Sequence, residues 1–151
     1  MYHPVIKLAS AKSAWRGLDI YHANKVLTCR KIKDKWFEGT VQGSAEQPYH
    51  VRLSLEHPRN STCDCPHAKG RIVVCKHKVA LFFKAIPDAE ANFLREVELE
   101  ESLYNAALEH EAEERHREIV SYVLGLTKAQ LQQQLINALE ELDSRDRIDR
   151  W

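Results

Sequence analysis

Cys63 and Cys65 are separated by one residue, Cys75 and His77 by one residue again, and nine residues lie between the pairs. Three thiolates and one imidazole suit a borderline-soft cation that prefers four tetrahedral ligands, and zinc is the usual occupant of such a set. Two cysteines at i and i+2 of a regular strand would point to opposite faces, so a turn at Asp64 to Pro66 has to bring both sulfurs to one side. Cys75 and His77 converge if Cys75 lies in or just before the first turn of a helix, whose positive end favours the deprotonated sulfur. A zinc ion with three thiolates and a neutral imidazole carries a formal charge of −1. Lys69, Arg71, Lys76 and Lys78 are close enough in sequence to offset it. The competing reading, buried free cysteines beside a surface histidine, needs four ligand-type residues to fall within 15 positions without a metal to hold.

The setting favours the metal. No apolar run approaches the roughly 18 residues that span a bilayer, and the first residues lack a basic segment followed by a long apolar stretch, so a cytoplasmic location is expected. In that reducing compartment a Cys63–Cys65 disulfide is disfavoured. His67, inside the loop, reads as an exposed bystander, and Cys29 as a small buried residue of a strand. His110 and His116 stand among glutamates without the i, i+4 spacing of a helical zinc site, and read as part of a solvated charged face. Four protein ligands close the coordination sphere. Neither a glycine-rich phosphate loop nor a nucleophile elbow occurs, so no catalytic residue is assigned and an enzyme is not expected.

The elements that must position the four residues follow from periodicity. Residues 10 to 20 can form a short helix starting at Ser10, weakened by Gly17. From Lys25 the sequence is β-like, with runs at Val26 to Cys29 and at Trp36 to Val41, ending at Gly43. Tyr49, Val51, Leu53 and Leu55 alternate with His50, Arg52, Ser54 and Glu56, which predicts a strand with one buried face. His57 to Ser61 is a turn. Val79, Ala80, Phe82, Phe83 and Ile86 recur at helical spacing from Cys75, and Pro87 stops that helix. Beyond it Asp88 can cap a long helix with a break near His110 to His116, Gly125 can end it, and Thr127 with Gln130 fits a capping box before a last helix bearing Leu131, Leu135, Leu139 and Leu142. These apolar stripes read as helix-packing surfaces.

Charge divides the chain at the same point. Residues 1–86 hold 15 Lys and Arg against 6 Asp and Glu, and residues 87–151 hold 7 against 16, so the zero net charge conceals +9 and −9. The expected organisation is a basic β-rich region over 1–87 and an acidic helical region over 88–151.

Cys-x-Cys, a loop and Cys-x-His, preceded by an alternating strand and followed by an apolar helix, resemble the SWIM zinc finger. Pro66 and Ala80 also fit, and the stretch from Arg16-Gly17 through Tyr21, Val26 and Val41-Gln42-Gly43-Ser44 to Tyr49 is similar to the segment that precedes this finger in bacterial members. The resemblance implies one structural zinc on Cys63, Cys65, Cys75 and His77, a strand-strand-helix finger with its core at about 49–86, and an α+β chain: a small antiparallel sheet, the finger and a helical C-terminal region. It also implies binding of DNA or of protein, since members occur in transposases, chromatin remodellers and partners of recombinases. Two functions stay open on the sequence. In the first, Lys31, Lys33 and Lys35 on one strand face, with Arg59, Lys69, Arg71, Lys76 and Lys78 around the finger, contact nucleic acid, as in an accessory subunit of a DNA-processing complex. In the second, the acidic helices bind a protein partner and nucleic acid is not touched. Neither involves a membrane or a small-molecule substrate.

Overall fold

Ser10 caps the first substantial helix by accepting the amide hydrogen of Ser13 at 3.2 Å. The computed structural model describes residues 2–148. Residues 1 and 149–151, the outermost positions of the two expected regions, lie outside the described residues. A single turn, α1 (Pro4–Lys7), precedes α2 (Ala11–His22), and the strands β1 (Val26–Lys33), β2 (Trp36–Val41), β3 (Tyr49–Ser54) and β4 (Thr62–Cys63) follow. They form one antiparallel meander in sequence order. A 3-10 turn at Pro58–Asn60 separates β3 from β4, as the turn signal there requires. Then come α3 (Lys76–Ala85), α4 (Ala89–Leu124) and α5 (Lys128–Ile148). No helix among the described residues is long and apolar enough to cross a membrane.

The core is built on α3, which packs against α2 and the sheet. Val79, Ala80 and Leu81 are fully buried, and Phe82 and Phe83 nearly so, facing Val41, Val51 and Leu53 of the strands. Each large side chain buried in this way contributes about 1.5–3 kcal/mol of apolar transfer energy. Gly17, which weakens α2 on helix propensity, is explained by this packing. A Cβ there would lie 2.6 Å from the Val79 side chain and 2.9 Å from the Lys76 carbonyl oxygen.

Packing divides the chain into a unit that runs up to Glu100 and a second that begins at Glu101. The charge boundary at Pro87 and the packing boundary at Glu100 do not coincide, because Ala89 and Phe93 of α4 are buried in the first unit. Among the described residues the second unit consists of the rest of α4, a turn at Gly125 to Thr127, and α5. No break occurs at His110 to His116, where i, i+3 and i, i+4 pairs such as Arg115–Glu111 at 3.1 Å and His110–Glu114 at 3.7 Å bridge successive turns. The expected capping box is present. Thr127 donates its amide and its hydroxyl to Gln130 Oε1, each at 2.9 Å, and the Gln130 amide returns to Thr127 Oγ1 at 3.4 Å.

Gly17→Ala distinguishes packing from propensity. In an open helix the change stabilises by about 1 kcal/mol; here overpacking against α3, typically ~1–3 kcal/mol, outweighs it. Urea denaturation of the zinc-loaded protein is expected to show a lowered midpoint, and a raised one would contradict the described contact.

Candidate metal centre

Three stretches of backbone deliver the four ligand-type side chains. Cys63 ends β4 opposite Val51 and turns inward with it, while Thr62 faces solvent. Asp64 then clasps β3: its carboxylate accepts the His50 amide at 3.0 Å and its own amide donates to the His50 carbonyl at 3.3 Å. This clasp is the turn that brings the second sulfur round. Cys65 opens a tight loop by accepting the amides of Ala68 and Lys69, both at 2.9 Å. The loop returns through Gly70, at φ +73°, to Val74, which bridges Ala9. Cys75 is the N-cap residue of α3 and His77 lies in its first turn.

The three sulfurs and one ring nitrogen all lie within 4.8 Å of one another, and all four residues are buried. A tetrahedral zinc site, with metal–sulfur bonds near 2.3 Å, spaces its ligands by about 3.5–3.8 Å, so little closure is needed. His77 presents Nδ1 to the Cys63 sulfur at 3.8 Å. Its ring packs on Tyr49 with centroids 4.6 Å apart, and its Nε2 is buried beside Gly43 without a hydrogen-bond partner. A Cβ on Gly43 would meet that Nε2 at 2.8 Å and the Tyr49 ring at 2.4 Å, so this position must lack a side chain for the imidazole to reach the sulfurs.

The sulfurs share protons unequally. The hydrogen bond with Cys63, His77 and the first amides of α3 hold the Cys75 thiol down to about 3, whereas its bond to Cys75 and its burial push the Cys63 thiol well up. Burial, then the neighbouring Cys75, raise Cys65. Such a set of buried thiols is ready to exchange protons for a divalent ion. The positive charge that meets it is Lys78, fully buried, whose Nζ donates to the carbonyls of Ser61 and Val73 at 2.7 Å each. Burial lowers the Lys78 pKa, and the negative charge of the cysteine cluster, Cys75 first, opposes that shift. With zinc bound, its +1 balances the formal −1 of the centre.

Residues 49–86 match the family model of the SWIM zinc finger. No curated protein and no solved structure matches the chain. The match and the cluster together fit one structural zinc held by Cys63, Cys65, Cys75 and His77. The α+β arrangement also stands, with the antiparallel sheet running directly into the finger.

The structure sorts the other expected site residues. Lys78 leaves the set facing nucleic acid, because it is inside the finger. Lys31, Lys33 and Lys35 do not share one strand face: the register shifts between Lys31 and Lys33, and Lys35 lies beyond β1 in a turn at φ +56°. Lys31 pairs with Asp34 at 3.4 Å, Lys33 covers the Trp36 ring, and Lys35 pairs with Glu56 at 2.5 Å. Arg59, Lys69 and Arg71 are exposed and Lys76 is half-buried, none of them in an ion pair among the described residues. His67 is exposed and Cys29 is half-buried, and neither joins the cluster.

One zinc per chain is expected on elemental analysis, and Cys75→Ser is expected to abolish it. Lys78→Met leaves the buried Ser61 carbonyl without its donor, at about 1–3 kcal/mol, takes the same donor from the half-buried Val73 carbonyl, and removes the countercharge. Competition with a chelator is expected to show zinc affinity reduced about 10–100-fold, the usual effect of losing a group that supports the ligands. Unchanged affinity would show that Lys78 only fills space.

Proposed function

We propose that the chain is a non-catalytic, cytoplasmic binding module whose zinc-ordered basic unit contacts nucleic acid, as DNA-processing assemblies require of an accessory subunit. The observation that carries this reading is charge that the fold leaves uncompensated. Residues 49–86 hold seven Lys and Arg against two Asp and Glu, so the finger keeps a net +4 after the −1 of the zinc centre is included. Arg59, Lys69, Arg71 and Lys76 have no acidic partner among the described residues, unlike Arg30 of β1 and Lys35 of the turn after it, which face Glu38 and Glu56. Unpaired cations on a rigid support are what phosphate binding needs, and the closed set of four ligands gives the metal no position for a substrate.

A second reading rests on the helical unit. Leu103, Tyr104, Leu108, Ile119, Leu135 and Leu139 are each 46–65% exposed, on a segment that holds nine Asp and Glu against four Lys and Arg over residues 101–145. Apolar side chains within an acidic field fit a protein partner with an apolar face and a basic rim. The two readings use different parts of the chain.

Salt titration decides the first. With about four phosphate contacts, log affinity for duplex DNA is expected to fall with log salt at a slope near −3.6, or near −2.8 for single strands. A flat dependence would remove nucleic acid from the account.

A further inference from the structure

Beside the metal cluster a cavity of about 390 Å³ opens between α2 and the finger. Cys65, Cys75 and His77 form part of its wall, but the space far exceeds that of a single ion. The rest of the lining is Ser10, Lys12, Ser13 and Arg16 from the start of α2, with His67 and Lys76 from the finger. No carboxylate lines it.

The charge there is surplus. Lys78 already offsets the zinc–thiolate centre from the protein interior, through bonds that point it at Ser61 and Val73. Lys12, Arg16 and Lys76 therefore bring three positive charges to one concavity, and among the described residues none of the three has an ion pair or a side-chain hydrogen bond. Like charges held together in a folded unit repel one another unless an anion joins them. The neighbouring hydroxyls add donors: Ser10 is committed to Ser13, donating to its oxygen at 3.0 Å, which leaves the Ser13 hydroxyl hydrogen to point elsewhere. A guanidinium, two ammonium groups and a hydroxyl on one concavity are donors of the kind that recognise phosphate oxygens, and a space of about 390 Å³ leaves room for a phosphodiester with part of its flanking sugars.

We propose that this cavity is the principal phosphate-binding site of the chain, taking one phosphodiester of a nucleic-acid backbone between Lys12 and Arg16 of α2 and Lys76 of the finger. It rests on the nucleic-acid reading for the source of the phosphate, while the anion chemistry stands on the cavity alone. Two of the three cations lie outside the matched finger, on α2.

The test uses the zinc-loaded full chain and Lys12→Ala/Arg16→Ala, whose side chains are exposed and whose replacements favour helix. Zinc content, binding of a duplex oligonucleotide against salt, and amide shifts at α2 on titration with inorganic phosphate are measured. The double variant is expected to keep one zinc, to bind DNA at least about tenfold more weakly in low salt, and to show a slope shallower by about 1.8, two contacts' worth. Equal affinity and slope in both proteins would overturn the site while leaving DNA binding in place. Loss of zinc from the variant would also overturn it, by showing that these cations serve the metal's charge balance. Phosphate shifts at α2 without DNA binding would keep the site and discard the nucleic-acid reading, and neither signal would discard both.

Discussion

Three buried sulfurs and a buried imidazole hold together two stretches of chain that little else would bring into register, the end of a β meander and the first turn of α3. Without a cation they are an unfavourable group to bury, because an ionised thiolate in a dry interior is uncompensated and a protonated one has little to bond with. With zinc they become a cross-link whose apparent strength, roughly 10–16 kcal/mol, equals or exceeds the ~5–15 kcal/mol by which whole domains are stable. The consequence runs outward along α3. Its first turn is fixed by Cys75 and His77, its middle supplies Val79 to Phe83 to the core, and its contact with Gly17 seats α2. Metal binding and folding of the first unit are one equilibrium.

Lys78 shows how the electrostatics of that equilibrium close. A lysine buried alone tends to lose its charge, and a zinc ion with three thiolates carries an excess negative one. Placed in the same interior, each relieves the other, and the two carbonyls that hold the ammonium group belong to the stretches that carry Cys63 and Cys75. One side chain thus balances the charge of the centre and ties its two halves together. The cations on the outside of the finger are released from that duty, which is why their lack of acidic partners has meaning.

Much of this was legible in the sequence. The ligand spacing named the metal, the alternation from Tyr49 to Leu55 predicted β3, and Ser10 and the Thr127–Gln130 pair marked helix starts that the structure contains. The rest departs from the usual habits of residue types. Lysines are almost always exposed, so Lys78 reads as a surface cation, although it lies one turn before Phe82 on the apolar face of α3, and that position is the signal that it is buried. By local structure Gly17 reads as a weak point of a helix and Gly43 as the end of a strand run. They are places where Val79 and His77 approach the backbone, and only the tertiary fold shows which residues those are. The charge-rich run at His110 to His116 suggests a break in the long helix, but its charges pair along a continuous one.

The helical unit poses the opposite problem from the finger. Its sequence has the apolar stripes of a packed helix, yet from Leu103 to Leu142 these large side chains remain 37–80% exposed. Helices gain most of their stability from packing an apolar face rather than from propensity, so a face left open is an incomplete structure in energetic terms. Nucleic acid cannot complete it, because the surrounding carboxylates repel phosphate and the stripe offers leucines rather than donors. On the protein-partner reading proposed above, a protein surface completes it, and the same carboxylates then select for a basic rim. If both units act, they act on different partners, and the charge reversal along the chain is what keeps the two kinds of binding from competing for one surface.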